Sequence, residues 1–358
     1  MGVKKYKPEE DESQKDEQED DKEEQEGEGE GEEQDEAKEQ DENEGEGDSD
    51  QKDLKEEIKI DQNGASGSTE RDENASWTDS PIESPTPISK YLDTLVDLET
   101  DCFERTSMLK RAVPEELGVI KLTINRKKGG FAKMSPKYFL YDENKTTFLL
   151  NAKKKVANKT SNYLISLEQN VFNKNSFTFI GKVRSNHNKS KYLIYDNGEN
   201  IDRNKKAEDE QARCELGYVA YFQGKNKAPC MRNLEFIIPN IDSNSDPIKF
   251  QPTSQAESLA QKCTQEDISS MIVFQTQKPY WNEELQKHMM SFSERVKEPS
   301  VKNFQLKYKT IESPENTEEK DDILLEFGRI DKDNFALTLK YPFSIMNAFG
   351  LALSTFDL

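Results

Sequence analysis

The chain has 358 residues and a formal net charge of −21, and this negative charge is confined to its first part. Residues 1–80 carry 33 acidic and 10 basic side chains, which leaves 38 acidic and 40 basic side chains for residues 81–358. No apolar run approaches the roughly 20 residues of a membrane-spanning helix, and the four cysteines form no CxxC pair, which argues against an integral membrane protein and against a zinc module.

The beginning of the chain does not read as a secretion signal. Met1 is followed by Lys4, Lys5 and an acidic run, where a signal peptide would have an apolar stretch. Reduced thiols in a soluble cytoplasmic protein are therefore expected. Because residues 81–358 are close to neutral, clustered basic side chains there would allow that part to approach an anionic surface.

Residues 1–87 are predicted to be a disordered acidic tail. The segment is rich in Glu, Asp, Gln and Gly and has too little apolar area to offset the cost of ordering its backbone. Such a tail either solubilises the protein or binds a partner. Its end is punctuated by Ser80-Pro81, Ser84-Pro85 and Thr86-Pro87, which are candidate proline-directed phosphorylation sites.

A helical pattern precedes the main domain. Apolar side chains at Leu92, Leu95, Val96, Leu98, Phe103 and Leu109 predict a short amphipathic helix within residues 88–112, although their spacing fits a helical period imperfectly. This helix would either dock on the following domain or present its apolar face to a partner.

The chain changes to a β pattern at Leu117. Short apolar or alternating runs separated by Gly, Asn and Asp are typical of an all-β barrel or sandwich. Twelve strands are predicted, at Val119–Asn125, Lys137–Asp142, Thr146–Ala152, Asn162–Leu167, Phe177–Ser185, Lys191–Gly198, Gly217–Gly224, Asn233–Asn240, Ser270–Thr276, Ser300–Lys309, Ile323–Ile330 and Phe335–Pro342.

Two helices are predicted among and after these strands. Ser254–Cys263 favours a short helix between two strands. Phe343–Leu358 has apolar residues on nearly every side at 3.6 residues per turn, with small residues at Ala348, Gly350 and Ala352. A helix that is apolar all round is buried, so this segment is expected to run through a closed barrel.

Several motifs resemble the carboxyl-terminal domain of the tubby-like family, in colinear order from Leu117 to Leu358. They are KTSNYLIS (Lys159–Ser166), IGKVRSN (Ile180–Asn186), Arg295–Leu306 with PSVKNFQL, EFGRI (Glu326–Ile330) and AFGLALSTFDL (Ala348–Leu358), supported by YDNG (Tyr195–Gly198) and KPYWNEE (Lys278–Glu284). The resemblance implies a twelve-stranded closed antiparallel barrel around a buried hydrophobic C-terminal helix, over residues 113–358.

Lys182 and Arg184 are the first candidate site residues. They lie two apart in a predicted strand, so they share a face with about 7 Å between them, near the spacing of adjacent phosphates on an inositol ring. Such a pair alone is usually a solvated face. The resemblance implies that it binds the headgroup of phosphatidylinositol 4,5-bisphosphate, together with Asn162 of SNYLIS and Arg213 before Glu-Leu.

A supporting basic patch is predicted at Lys153, Lys154, Lys155 and Lys159. It would either attract an anionic leaflet, at about 1 kcal/mol for each cation, or merely solubilise a turn. Residues 126–128, which are all basic, are candidates to extend this patch.

Nothing in the sequence predicts catalysis. His187 and His288 are the only histidines, and neither belongs to an HExxH motif or lies near a GxSxG elbow. There is no P-loop and no GxGxxG. A non-enzymatic protein without a cofactor or metal is therefore expected.

Three functions remain open. The leading hypothesis is a phosphoinositide-binding adaptor, peripheral at the plasma or ciliary membrane, whose N-terminal region recruits protein partners such as ciliary transport machinery. The alternative is a nuclear regulator that binds nucleic acid and activates through its acidic tail. The net −23 of residues 1–80 opposes an approach to DNA, so nucleic acid is the less favoured partner. The third is a protein-interaction domain without a ligand.

Overall fold

The structure is a computed structural model that describes residues 86–97, 101–128, 135–155, 159–200, 212–222, 233–283, 286–309 and 322–357. Residues 1–85 of the predicted disordered tail, with the Ser80-Pro81 and Ser84-Pro85 sites, lie outside the described residues, whereas Pro87 of that predicted tail begins a helix. All twelve predicted strands lie wholly or mostly within the described residues.

Twelve antiparallel strands form a closed barrel in the order β1-β14-β13-β12-β9-β8-β7-β6-β5-β4-β3-β2. Full closure leaves no unpaired sheet edge. The strands are β1 (Ile120–Lys127), β2 (Lys137–Asp142), β3 (Phe148–Lys154), β4 (Asn162–Ser166), β5 (Phe179–Ser185), β6 (Lys191–Asp196), β7 (Glu215–Phe222), β8 (Asn233–Pro239), β9 (Met271–Thr276), β12 (Phe304–Tyr308), β13 (Leu325–Arg329) and β14 (Asn334–Leu339). The predicted fold class and the twelve strands are thus confirmed.

A short helix and a separate two-stranded sheet lie in the connections between β8, β9 and β12. The predicted helix at Ser254–Cys263 is a 3₁₀ turn, Gln255–Glu257, followed by helix α3, Leu259–Thr264. Leu259 packs with Tyr218 and Ile237 in a small apolar cluster outside the main core. Strands β10 (Tyr280–Asn282) and β11 (Lys287–Met289) pair only with each other.

Helix α4, Ile345–Ser354, lies inside the barrel, and all of its residues are buried. It begins with a capping box in which Ser344 Oγ accepts from Asn347 N and Asn347 Oδ1 accepts from Ser344 N, both at 3.0 Å. Gly350 brings the helix against β6, because a Cβ there would lie 2.7 Å from Ile194 Cδ1. The predicted buried C-terminal helix is therefore confirmed.

Polar side chains at one end of the barrel bind the residues that follow the C-terminus of α4. Asp357, in the 3₁₀ turn that follows the helix, accepts from Tyr163 Oη at 2.9 Å and pairs with Lys154 Nζ at 2.5 Å. Lys302 Nζ donates to the carbonyl of Thr355 at 2.6 Å. These cations suit the negative end of the helix dipole.

Residues 88–112 form two helices where the sequence predicted one. They are α1, Pro87–Asp97, and α2, Cys102–Lys110. Leu92, Leu95 and Leu109 belong to the same buried cluster as the barrel core. The helices are therefore docked on the barrel, which is one of the two expected arrangements.

Phe103 differs from its prediction. Phe103 is among the apolar residues that predict the helix, but it is 80% exposed on the first turn of α2.

Among the described residues, no helix is both long enough and apolar enough to cross a bilayer.

Candidate functional site

The candidate site lies on the outer face of β4, β5 and β6. Tyr163, Val183 and Ile194 of these strands belong to the barrel core. Because side chains alternate along a strand, Lys182 and Arg184 face outward on either side of Val183. The predicted KxR pair therefore lies on the outer face of the sheet, where Lys182 is partly exposed and Arg184 is covered.

Lys182 and Arg213 converge on one aromatic ring. Lys182 Nζ lies 5.9 Å from the ring centroid of Tyr195, its cross-strand neighbour on β6. Arg213 Cζ lies 4.2 Å from the same centroid. Both cations are within the range of a cation–π interaction, and both side chains are partly exposed. Residues from two separate parts of the sequence thus place two positive charges close to one aromatic ring.

The YDNG turn after β6 holds Arg213 in this position. Asp196 Oδ1 accepts from the backbone N–H of Gly198 at 3.0 Å and of Cys214 at 2.8 Å. Arg213 N donates to the carbonyl of Glu199 at 2.9 Å. A Cβ on Gly198 would lie 2.5 Å from Arg213 Cα, so only glycine permits this close approach.

Asn162 and Arg184 form the second part of the site. They are directly opposite each other in the β4–β5 register, so their side chains share the outer face. Arg184 is 5% exposed and Asn162 is fully buried. All four predicted residues therefore lie on neighbouring strands or the adjoining turn, but only Lys182 and Arg213 are open to solvent.

A row of lysines crosses the outer face beside this site. The register pairs Lys127 with Lys137, Lys137 with Lys153, Lys153 with Leu164, and Leu164 with Lys182. Paired residues point to the same side of a sheet, so four ammonium groups line adjacent strands with one leucine between them. We call Lys127, Lys137, Lys153 and Lys182 the lysine row.

The predicted basic patch is divided between two environments. Lys153 belongs to the lysine row, whereas Lys154 points into the end of the barrel and pairs with the buried carboxylate of Asp357. Lys155 donates its backbone N–H to Asn162 O at 2.8 Å, and Lys159 is exposed. Lys154 is therefore separate from the outer basic face.

Lys137 is a residue of this face that sequence reasoning missed. It begins a strand with mainly apolar neighbours, so nothing local marks it. Arg126, a candidate extension of the patch, is instead bound to Asp333 at 3.0 Å and packs over Phe335. Whether a basic residue here joins the outer face, as Lys137 does, or packs elsewhere, as Arg126 does, depends on the strand register. The register was not predicted from the sequence.

A cavity of about 400 Å³ adjoins the YDNG turn and includes Asp196, Cys214 and Lys249 in its lining. Lys110 of α2 is 3.8 Å from Asp196, and burial lowers the pKa of this lysine against the opposing effect of the carboxylate. Burial, aided by Asp196, raises the pKa of the Cys214 thiol to about 12. The thiol thus stays protonated at neutral pH.

The shift at Cys214 predicts a loss of stability in alkali. Above its ordinary pKa near 9 the thiol ionises in the unfolded chain, whereas the folded protein keeps the proton until about pH 12. Stability therefore falls as pH rises through this window, and Cys214 contributes nothing to the dependence at lower pH. Cys214→Ser should lessen the drop in urea midpoint between about pH 8 and pH 10. An identical drop in variant and parent would contradict this assignment.

The fold and this face define a class: a closed twelve-stranded barrel around a buried C-terminal helix, with a basic outer surface on β1 to β6. The family model described as "Tub family" matches residues 109–358. The chain belongs to this family, as its motifs predicted.

Known relatives are similar over the same part of the chain. Tubby-related protein 1 of Mus musculus is 34% identical over 232 residues, which cover 64% of this chain and 41% of that protein. Tubby-related protein 3 of Mus musculus is 32% identical, over 68% of this chain and 53% of that protein. Tubby protein homolog 1 of Caenorhabditis elegans is 32% identical, over 66% and 56%. The chain thus matches only about half the length of these relatives.

Proposed function

We propose that this chain is a non-enzymatic adaptor that binds the headgroup of phosphatidylinositol 4,5-bisphosphate at the outer face of β4 to β6. The observation that carries the proposal is the convergence of Lys182 and Arg213 on Tyr195. A guanidinium can fork onto one phosphate while an ammonium binds another as a point charge. Membership of the Tub family supports the same reading.

The proposal extends to what this binding would do. The barrel would dock reversibly on a cytoplasmic leaflet at the plasma or ciliary membrane, and the acidic N-terminal region would recruit protein partners. By its family resemblance, the adaptor would act in the delivery of membrane proteins to cilia. Headgroup binding is the step on which the others depend.

A double variant tests the binding site. Lys182→Ala with Arg213→Ala should weaken binding of the full chain to bisphosphate-containing vesicles by at least roughly 100-fold, since each charge-assisted contact is worth about 1.5–3 kcal/mol. Co-sedimentation near physiological salt measures this, with phosphatidylserine vesicles of matched total charge for comparison. Because both side chains are partly exposed, the variant should keep its thermal midpoint.

The chain offers a matched control. Lys307 on β12 and Lys309 just after it are also two residues apart and at least partly exposed, and Lys309 pairs with Glu235 at 2.5 Å. Strands β9, β8, β7 and β6 separate β12 from β5. Replacing both by alanine changes the net charge equally and should leave vesicle binding intact. Equal binding of the wild-type protein to both kinds of vesicle would contradict a specific headgroup site.

Arg184 needs a separate measurement because it is buried. Arg184→Ala removes a buried donor, so we expect a lower thermal midpoint as well as weaker vesicle binding. Headgroup contact with Arg184 and Asn162 requires local opening of this face. If Arg184→Ala destabilises the protein but leaves vesicle binding unchanged, Arg184 has only a structural role.

A further inference from the structure

The loop that joins β4 to β5, residues 167–178, displays an exposed phenylalanine two residues before β5 begins. Phe177 is 79% exposed. It occupies the second position of a turn in which Phe179 N donates to Ser176 O at 3.1 Å. Thr178, which follows it, is buried, and its Oγ1 lies 2.8 Å from Ser176 Oγ. A backbone fixed by hydrogen bonds therefore holds this aromatic side chain in water.

The same loop lies against the lysine row. Lys137 Nζ donates to Asn170 Oδ1 at 3.3 Å. The ring of Phe172, half-buried in the loop, is 5.8 Å from the ammonium groups of both Lys137 and Lys153. The β4–β5 loop thus adds an apolar edge to the basic outer face.

Phe177 is also close to the proposed headgroup site. Lys182 follows it by five positions, and an extended chain of that length spans no more than roughly 18 Å. An exposed aromatic side chain on a loop that contacts two lysines matches the two layers of an anionic leaflet, with phosphates outside and acyl chains beneath. A single aromatic side chain that is 79% exposed suits a fluid lipid layer better than a rigid protein, which would need a pocket to receive it.

Phe103 is equally exposed, but its neighbours carry the opposite charge. It is 80% exposed on α2, but Asp101 and Glu104 stand in the same turn. Their charges would oppose an approach to an anionic leaflet. Phe103 therefore serves as a control of equal size and exposure.

We propose that the β4–β5 loop is a membrane anchor, in which Phe177 enters the acyl boundary of an anionic lipid leaflet while the lysine row contacts the lipid phosphates. The inference rests on the proposed function, because headgroup binding brings the loop to the membrane. Such shallow insertion of an apolar side chain reaches about 5–10 Å into the leaflet.

Depth-dependent quenching tests the insertion directly. Phe177→Trp in the full chain is mixed with phosphatidylcholine vesicles that contain phosphatidylinositol 4,5-bisphosphate and acyl chains brominated at a defined depth. Trp77 and Trp281 give the background, which the parent protein measures. We expect additional quenching for Phe177→Trp and none for Phe103→Trp. Vesicle binding without additional quenching of Phe177→Trp would overturn the anchor.

A second variant separates the anchor from the headgroup site. Phe177→Ser should bind these vesicles about tenfold more weakly, which corresponds to about 1.4 kcal/mol. It should bind soluble inositol 1,4,5-trisphosphate as the parent does, and Phe103→Ser should match the parent in both measurements.

The outcomes distinguish the two proposals. Unchanged vesicle affinity of Phe177→Ser would overturn the anchor. Loss of trisphosphate binding only in Lys182→Ala with Arg213→Ala would support the headgroup site whatever Phe177 does. A wild-type protein that binds neither vesicles nor trisphosphate would overturn both proposals.

Discussion

Phe349→Asp is expected to abolish folding of the chain. Phe349 is fully buried on α4, inside the closed barrel. An unpaired charge at such a site costs several kcal/mol, and loss of the aromatic side chain costs roughly 3–5 kcal/mol more. Together these penalties reach the whole net stability of a typical domain, about 5–15 kcal/mol. Circular dichroism and urea unfolding of the full chain measure the effect.

Two variants control for chemistry and for position. Phe349→Leu keeps the site apolar and should fold with a smaller loss of stability. Phe103→Asp makes the same chemical change at an exposed position and should alter the unfolding free energy by no more than about 0.5 kcal/mol. If Phe349→Asp unfolded cooperatively at the parent's midpoint, α4 would have to be peripheral to the barrel.

The barrel was predictable because its strands are marked locally. Runs such as KYFLYD at β2 and NYLIS at β4 are bounded by turn residues, and each run falls on an observed strand. Helix α4 was predictable for a related reason, since a segment that is apolar on all sides must be enclosed. Both signals are contained within a few consecutive residues.

The basic face was only partly predictable because it depends on register. The β2–β3 pairing shifts between Leu140 and Tyr141, which leaves Leu149 as an extra residue in β3. Such a bulge changes which side chains along the strand face outward. Sequence alone therefore could not tell that Lys153 faces outward while Lys154 enters the barrel end.

The sequence left the start of the folded unit open. The sequence placed the barrel domain at residues 113–358, and the helical segment before it was expected either to dock or to remain available to a partner. In the structure, Leu95 and Leu109 are fully buried in the barrel's core cluster. Arg105 of α2 donates to Leu149 O at 3.1 Å, which ties the helix to β3. Contacts this distant in sequence leave no local signal.

A chain that begins at Val113 is therefore expected to be far less stable than one that begins at Thr86. The shorter chain loses Leu92, Leu95 and Leu109, and burial of each leucine contributes about 1.5–3 kcal/mol, which in total rivals the net stability of a domain. Urea unfolding of the two chains measures the difference. Leu109→Ala in the full chain should cost about 2–5 kcal/mol, whereas Phe103→Ala should be nearly neutral. Equal midpoints for the two chains would mean that α1 and α2 rest on a barrel that is stable without them.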